Sequence, residues 1–256
     1  MPTAEELQRL RDEITNAAAD KPQPVVAETF LRRWPSYSRP VALRCDDGKE
    51  YVVKGQHAGR GIINDQTVAR LGIELGAPVG EPQIVEIPAE LVAIEPQLKD
   101  IRPGTAHGTE LVQNCTDRIW PPSDLGLLDN RRRLALLAVL YGWCHANDHQ
   151  LIYSNVTPRL VYSVDHGHFF PGGPNWTIAS LANVAIATLE PGIVGHCGLS
   201  EDEQRIATEK LQNMSSQSIV NAVAISPDEW GMSLDERVAL ASFLILRRDE
   251  LIATLA

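Results

Sequence analysis

The apolar patterning of this chain changes character partway along, and that change limits the architectures open to it. Before residue 100 the pattern is one of short β-favouring runs broken by turn signals. Val41-Ala42-Leu43-Arg44 and Glu50-Tyr51-Val52-Val53-Lys54 read as two strands around the turn Asp46-Asp47-Gly48. Ile84 to Ile87 and Leu91 to Glu95 read as two more strands around Pro88. Between the pairs, Asn64 is placed to cap a helix with Val68, Leu71 and Leu75 on its apolar face, ended by Gly76 and Pro78. Ile101 to Gly108 switches to Pro, Gly and His and reads as a hinge. Beyond it helical spacing dominates, over Arg131 to Asn147, Ile178 to Leu189, Glu201 to Met214 and Leu234 to Leu255. The expected class is α+β with two lobes: a small antiparallel sheet carrying one main helix, then a larger, mostly helical lobe. The expected divisions are an N-terminal helix in 1–21, a small lobe in 22–100, a hinge in 101–108 and a helical lobe in 109–256. A cleft between two lobes is the natural place for a ligand.

Composition narrows the partners. The 256 residues are 44% hydrophobic, enough for one large core or two small ones. A net charge of −10 repels phosphate backbones, so general nucleic-acid binding is not expected. The most apolar run, Leu134 to Cys144, is far shorter than the ~20 residues a membrane span needs. The first residues form a charged amphipathic helix over 3–19 rather than an apolar leader, and the expected setting is cytoplasmic. Cys45, Cys115, Cys144 and Cys197 include no CxxC pair, so neither a zinc ribbon nor a disulfide framework fits.

The densest chemistry lies between Ala146 and Gly167. Leu151 to Tyr153 and Leu160 to Val164 favour strands, and Asn155, Thr157 and Pro158 supply the turn between them. Folding the hairpin about Thr157 puts Asp165 opposite His149, with Asp148 next to it. Two carboxylates at one end of a hairpin can hold a proton or one hard cation. A base carboxylate beside a metal carboxylate is the working arrangement of phosphoryl transfer. On this reading Asp165 would hold magnesium bridging nucleotide phosphates, though an Asp before His166-Gly167 also suits a plain turn. Asp148 follows the end of a long helix, where a carboxylate is unfavourable and wants a partner: a metal ion, a substrate hydroxyl or His149.

Lys54 ends a half-buried strand and can meet phosphate oxygens as a point charge, or simply be solvated. Asp65, in the first turn of the next helix, can aim Lys54 or serve the helix dipole. Gly55, Gly59 and Gly61 form one loop able to cover phosphates, and Ser36 and Ser38 lie in another. His145 and His149 have a zinc-like i, i+4 spacing if the helix continues, which keeps an Asp/His metal-dependent hydrolase as a minor alternative.

These segments, taken in order, resemble the HipA-like kinases. The resemblance runs through SRPVALRCDDGKEYVVKG, NDQTVARLGIELGAPVGEPQIVEI, PGTAHGTEL, WCHANDHQL, VYSVDHGHFF and DEWGMSLDERVALASFLILRRDEL, covering roughly residues 30 to 255. It implies a kinase-like fold, ATP and Mg²⁺ as cofactors, and phosphorylation of a Ser or Thr hydroxyl, often on a protein. By the same resemblance Lys54 contacts nucleotide phosphates, Asp148 orients the acceptor hydroxyl and Asp165 binds magnesium. The family tends to carry Glu where Asp65 stands. It also carries a metal-binding Asn about five residues after the catalytic Asp, where this chain has Tyr153. Gln150 is a nearby amide and is taken as a further nucleotide and metal contact. That departure leaves a second expectation open: a pseudokinase that binds nucleotide or a partner protein without turnover.

Overall fold

In the computed structural model, which describes residues 3–36, 38–117 and 126–254, a capping box opens the chain. Thr3 and Glu6 exchange side-chain bonds with each other's backbone N–H and start helix α1, Ala4–Ala19. Leu10 and Ile14 are its buried face, and it lies on late helices of the chain rather than on the sheet. After Pro22 and Pro24 come the strands β1 (Val25–Arg33), β2 (Val41–Cys45) and β3 (Glu50–Lys54). Helix α2 (Gly61–Leu75), strand β4 (Pro82–Ile87), helix α3 (Ala89–Ile94) and strand β5 (Gly104–Glu110) follow.

The five strands close into a barrel in the order β1-β2-β3-β5-β4. The β2–β3 hairpin pairs Val41 with Val53 across a turn in which Gly48 takes φ 79°, as expected from Asp-Asp-Gly. Closure comes from a short parallel pairing of β1 with β4, Val25 to Val85 and Val26 to Glu86, which removes an open edge. Val41, Leu43, Val53, Val85, Ile87 and Ala106 fill the interior.

Two expectations in this lobe are corrected. Leu91 to Glu95 does not form a strand, because Pro88 ends β4 and the chain winds into α3, burying Leu91. The segment 101–108 is not a linker from end to end. From Gly104 it is β5, paired with β3 on one side and β4 on the other. Gly108 serves packing: a Cβ there would stand 2.6 Å from Val85 Cγ2.

The remaining described strands and α-helices are β6 (Cys115–Thr116), α4 (Leu128–Cys144), β7 (Gln150–Ser154), β8 (Val161–Val164), α5 (Ile178–Ala182), α6 (Pro191–Cys197), α7 (Glu201–Gln212), α8 (Ser216–Ala224) and α9 (Leu234–Ala253). Helix α4 starts and stops three residues before the expected 131 and 147. His145 adopts φ 56°, ψ 70° and ends it. The helix expected over 178–189 stops at Ala182. The following chain runs past α4 so closely that a Cβ on Gly142 would sit 1.9 Å from the Thr188 carbonyl. The end expected at Leu255 lies outside the described residues.

Helices α1, α2, α4 and α9 share one large core, separate from the barrel interior. In it Val68, Leu71 and Leu75 of α2 join Leu134, Leu140, Trp143 and Leu244. Each such side chain, fully buried, stabilises the fold by about 1.5–3 kcal/mol. The main helix of the small lobe is thereby anchored in the helical lobe, which bears on the site below.

Candidate active site

The position of Asp148 begins with the end of α4. Arg247, buried on α9, donates from Nε to the Trp143 carbonyl at 2.8 Å and from Nη2 to the Gly142 carbonyl at 2.6 Å. Those are orphan carbonyls of the last helical turn. Ala146 N–H then donates back to the Tyr141 carbonyl, and Asn147 Nδ2 donates to the carbonyls of His168 (2.9 Å) and Phe170 (2.7 Å). The turn carrying Asp148 is therefore tied to the turn after Asp165. Asp148 itself is exposed and makes no hydrogen bond or ion pair among the described residues. His149 does not compensate it. The imidazole packs on the Tyr141 ring with centroids 4.8 Å apart, and its Nε2 faces Glu190 at 3.7 Å.

Strands β7 and β8 pair Gln150 with Val164 and Tyr153 with Val161. Continued by one residue, that register sets His149 against Asp165, as the turn about Thr157 requires. Asp165 takes φ 57°, a left-handed conformation that Asp tolerates better than most residues.

Lys54 ends β3, paired with His107 of β5, and its side chain is buried. Its ammonium donates to Asp65 Oδ2 at 2.9 Å and to Asp165 Oδ1 at 2.5 Å. The other Asp65 oxygen, Oδ1, accepts the His166 backbone N–H at 2.7 Å. One buried carboxylate thus joins the strand lysine to the backbone that carries Asp165. Burial opposes charge on Lys54 and Asp65, but their attraction prevails. The ammonium is held above its ordinary range and the Asp65 carboxyl below its own. Helix α2 begins at Gly61, so Asp65 is the fifth residue of the helix and serves Lys54 rather than the helix start. Asn64, expected as a cap, is likewise interior and wholly buried.

Two buried histidines adjoin this pair. Burial pushes the imidazoles of His107 and His166 from the ordinary 6.5 down to about 4, against the pull of Asp65. His107 is held neutral when the Gln66 amide donates to its Nδ1 at 2.7 Å and accepts from Arg70, while Nε2 faces Thr109 Oγ1 at 2.9 Å. His166 Nε2 meets Ser163 Oγ at 2.8 Å, and that hydroxyl meets the Tyr141 hydroxyl at 2.6 Å. As pH falls through 6.5 the unfolded chain takes up a proton on each ring, whereas the folded chain does so only near 4. The unfolded state binds more protons across that window, so stability is complete above it and declines as pH falls. We predict a melting temperature that is flat near neutrality and drops progressively between about pH 6.5 and 4. His107→Gln should flatten part of that slope in a series of thermal melts.

The other predicted residues are more peripheral. Ser36 and Ser38 lie between β1 and β2, and the Ser38 carbonyl faces His57 Nε2 at 3.0 Å. Neither serine side chain reaches Lys54, Asp65 or Asp165 among the described contacts, and Tyr37 between them is outside the described residues. Of the glycine loop, Gly59 takes φ 66°, while Gly61 packs in α2 against Gly167. Gln150 is exposed at the start of β7, opposite the residue before Asp165. Tyr153 is buried in the large core and offers no ligand to the cleft. The i, i+4 histidine pair is broken because α4 ends before His145. Among the described residues no three His, Cys, Asp or Glu side chains assemble as a metal-binding group. Cavities of about 330 and 380 Å³ lie at the seam near Glu229, lined by none of Lys54, Asp65, Asp148 or Asp165.

The sequence reading places Asn64 as a helix cap and Asn147 at a helix end and gives Trp176 no role, whereas all three fix the geometry of the site. The available signal was an Asn beside an Asp within an otherwise apolar helix, a pairing that asks for buried partners.

The sequence profile described as HipA-like kinase matches residues 27–170, more than half of the chain. No curated protein matches it. Among solved structures it is similar to the crystal structure of a Helicobacter pylori proinflammatory kinase, CtkA. The TM-score is 0.61 at 10% identity, with 91% of this chain and 96% of that one covered. At that identity the likeness concerns the fold: a two-lobed kinase-like architecture, sheet-rich first and mostly helical after.

Proposed function

This chain belongs to the HipA-like kinase family, and from that premise we propose that it transfers the γ-phosphate of ATP to a Ser or Thr hydroxyl, on a protein acceptor. The observation that carries the reading is the Lys54 ammonium held between Asp65 and Asp165 in a kinase-like fold. Lys54 has three donors and two are engaged by carboxylates, which leaves one for a phosphate oxygen. Asp65 keeps the lysine charged and aimed. Asp165 is partly exposed, and its Oδ2 has no protein partner among the described residues. A hard oxygen donor of that kind suits Mg²⁺, which is commonly held by one or two carboxylates together with substrate phosphates. Bound there, with Gln150 as a candidate second contact, the ion would neutralise charge on the phosphates. Asp148, exposed and without a partner among the described residues, lies at the same end of the hairpin and is free to accept the proton of an incoming hydroxyl and orient it. Ser36 and Ser38 are proposed to close over the phosphates from the β1–β2 loop. ATP is an intracellular nucleotide, so a cytoplasmic setting belongs to the same proposal. Among the described residues no helix is long and apolar enough to cross a membrane.

A second reading has its own observation. Tyr153 is buried where the family places its second metal-binding amide, and this favours slow turnover or nucleotide binding alone. Both readings require Mg²⁺-dependent ATP binding. Ligand at a hundredfold excess over Kd adds about 2.7 kcal/mol to apparent stability. We expect ATP with Mg²⁺ to raise the melting temperature more than ATP alone, and Asp165→Asn to lose that difference. A wild-type chain that shows no shift with either would sink both readings.

A further inference from the structure

Asn64 is fully buried in α2, immediately before Asp65. A buried amide is costly unless its polar atoms are satisfied. The two N–H groups of Nδ2 are shared among the carbonyls of Gly167 (2.9 Å), Phe169 (2.8 Å) and Gly173 (3.1 Å), and Oδ1 accepts the Trp176 indole N–H at 2.9 Å. The Arg60 guanidinium, on the residue just before α2, stacks over the same indole at 4.9 Å and bonds Glu236 of α9 at 2.8 Å. Two consecutive residues of α2 therefore grip the chain that follows Asp165: Asn64 holds 167–176, and Asp65 holds His166 N–H. The groups they hold lie more than a hundred residues from Asn64 and Asp65 in sequence, so no local turn preference accounts for them.

Resting on the kinase reading above, we infer that Asn64, locked by Trp176, is a positioning residue that keeps Asp165 beside Lys54 before any ligand arrives. In kinases regulated by ordering of this segment, a modification supplies the contacts that assemble the site. Here side-chain-to-backbone hydrogen bonds supply them, and the metal-binding carboxylate is placed without an activating phosphate.

The test uses the full chain without ligand, then with nucleotide. Asn64→Leu removes all the amide's bonds, whereas Trp176→Phe removes only the indole donor and keeps a ring beneath Arg60. Hydrogen exchange of residues 165–176 should rise about tenfold or more in both variants, with β2, β3 and α4 unchanged. The Mg²⁺-dependent part of ATP affinity should fall about tenfold, while ATP without Mg²⁺ binds as it does to wild type. A loosening of the whole fold would weaken both equally. Unchanged exchange over 165–176 in Trp176→Phe overturns the inference. So does faster exchange with unaltered Mg²⁺–ATP affinity. If Asn64→Leu does not fold, Trp176→Phe decides alone. Should wild type itself fail to bind Mg²⁺–ATP, the kinase reading and the positioning role that rests on it both fall, and the exchange arm still reports whether the clamp holds the segment.

Discussion

Lys54→Met is expected to destabilise the protein by about 3–5 kcal/mol, the range for removing one partner of a buried ion pair. The reason is what it leaves behind. Asp65 is 3% exposed and would keep a carboxylate in the interior with, among the described residues, only the His166 N–H to satisfy it. Asp165 contributes little to the loss, because its side chain is 36% exposed and remains solvated. For a chain of this size the effect corresponds to a fall of about 6–20 °C in melting temperature. Adding Asp65→Asn to Lys54→Met should recover most of it, since the amide keeps an oxygen for His166 N–H and carries no charge. Recovery in the double variant separates the buried-charge explanation from a simple loss of lysine packing. A melting temperature unchanged by Lys54→Met would mean that the pair is more solvated than its burial indicates.

Asp148→Asn should do the opposite: leave stability alone and remove chemistry. The side chain is exposed and bonded to nothing among the described residues, so a surface-type change within about 0.5 kcal/mol is expected. ATP binding should also persist, because Lys54 and Asp165 are untouched. Phosphate transfer should fall about 100- to 10,000-fold, the usual contribution of a positioned general base. The pairing of the two variants is informative. On the proposed function Lys54 would act on stability and binding together, whereas Asp148 would act on turnover alone. An Asp148→Asn protein that melts early would show that the carboxylate has a structural partner.

Much of this site is legible from local sequence. The β7–β8 hairpin follows from two apolar runs and a Pro-containing turn, and the turn about Thr157 fixes the register that brings His149 and Asp165 together. For Asp65 the sequence leaves two roles open, aiming Lys54 or serving the helix dipole, and the fold realises the first. What is illegible depends on distant chain. Strand β1 is hidden because two register irregularities break its alternation. The glycines of 101–108 look like a hinge locally, but Gly108 is glycine because Val85 of β4 leaves no room for a Cβ. Asn64 looks like a cap because its true partners, Gly167 to Trp176, lie a hundred residues away. The ends of α4 and α5 are set by Arg247 and by the chain packed on Gly142, neither of which periodicity can reveal.

The buried tyrosine at position 153 gives the account its sharpest internal tension. The fold assembles Lys54, Asp65 and Asp165 in full, yet the position that would bring a second metal amide is committed to the core. Gln150, exposed one strand position before Leu151, is the nearest replacement on the same strand. Whether one carboxylate and one amide suffice is a question of turnover, and turnover is directly measurable.

The most direct measurement is transfer of labelled γ-phosphate from ATP, to the chain itself and to a mixture of Ser- and Thr-containing proteins. Wild type, Asp148→Asn and Asp165→Asn would be compared with and without Mg²⁺. The account predicts Mg²⁺-dependent transfer by wild type that is lost in both variants. Equal transfer by all three, or none by a wild type that binds Mg²⁺–ATP, would contradict it.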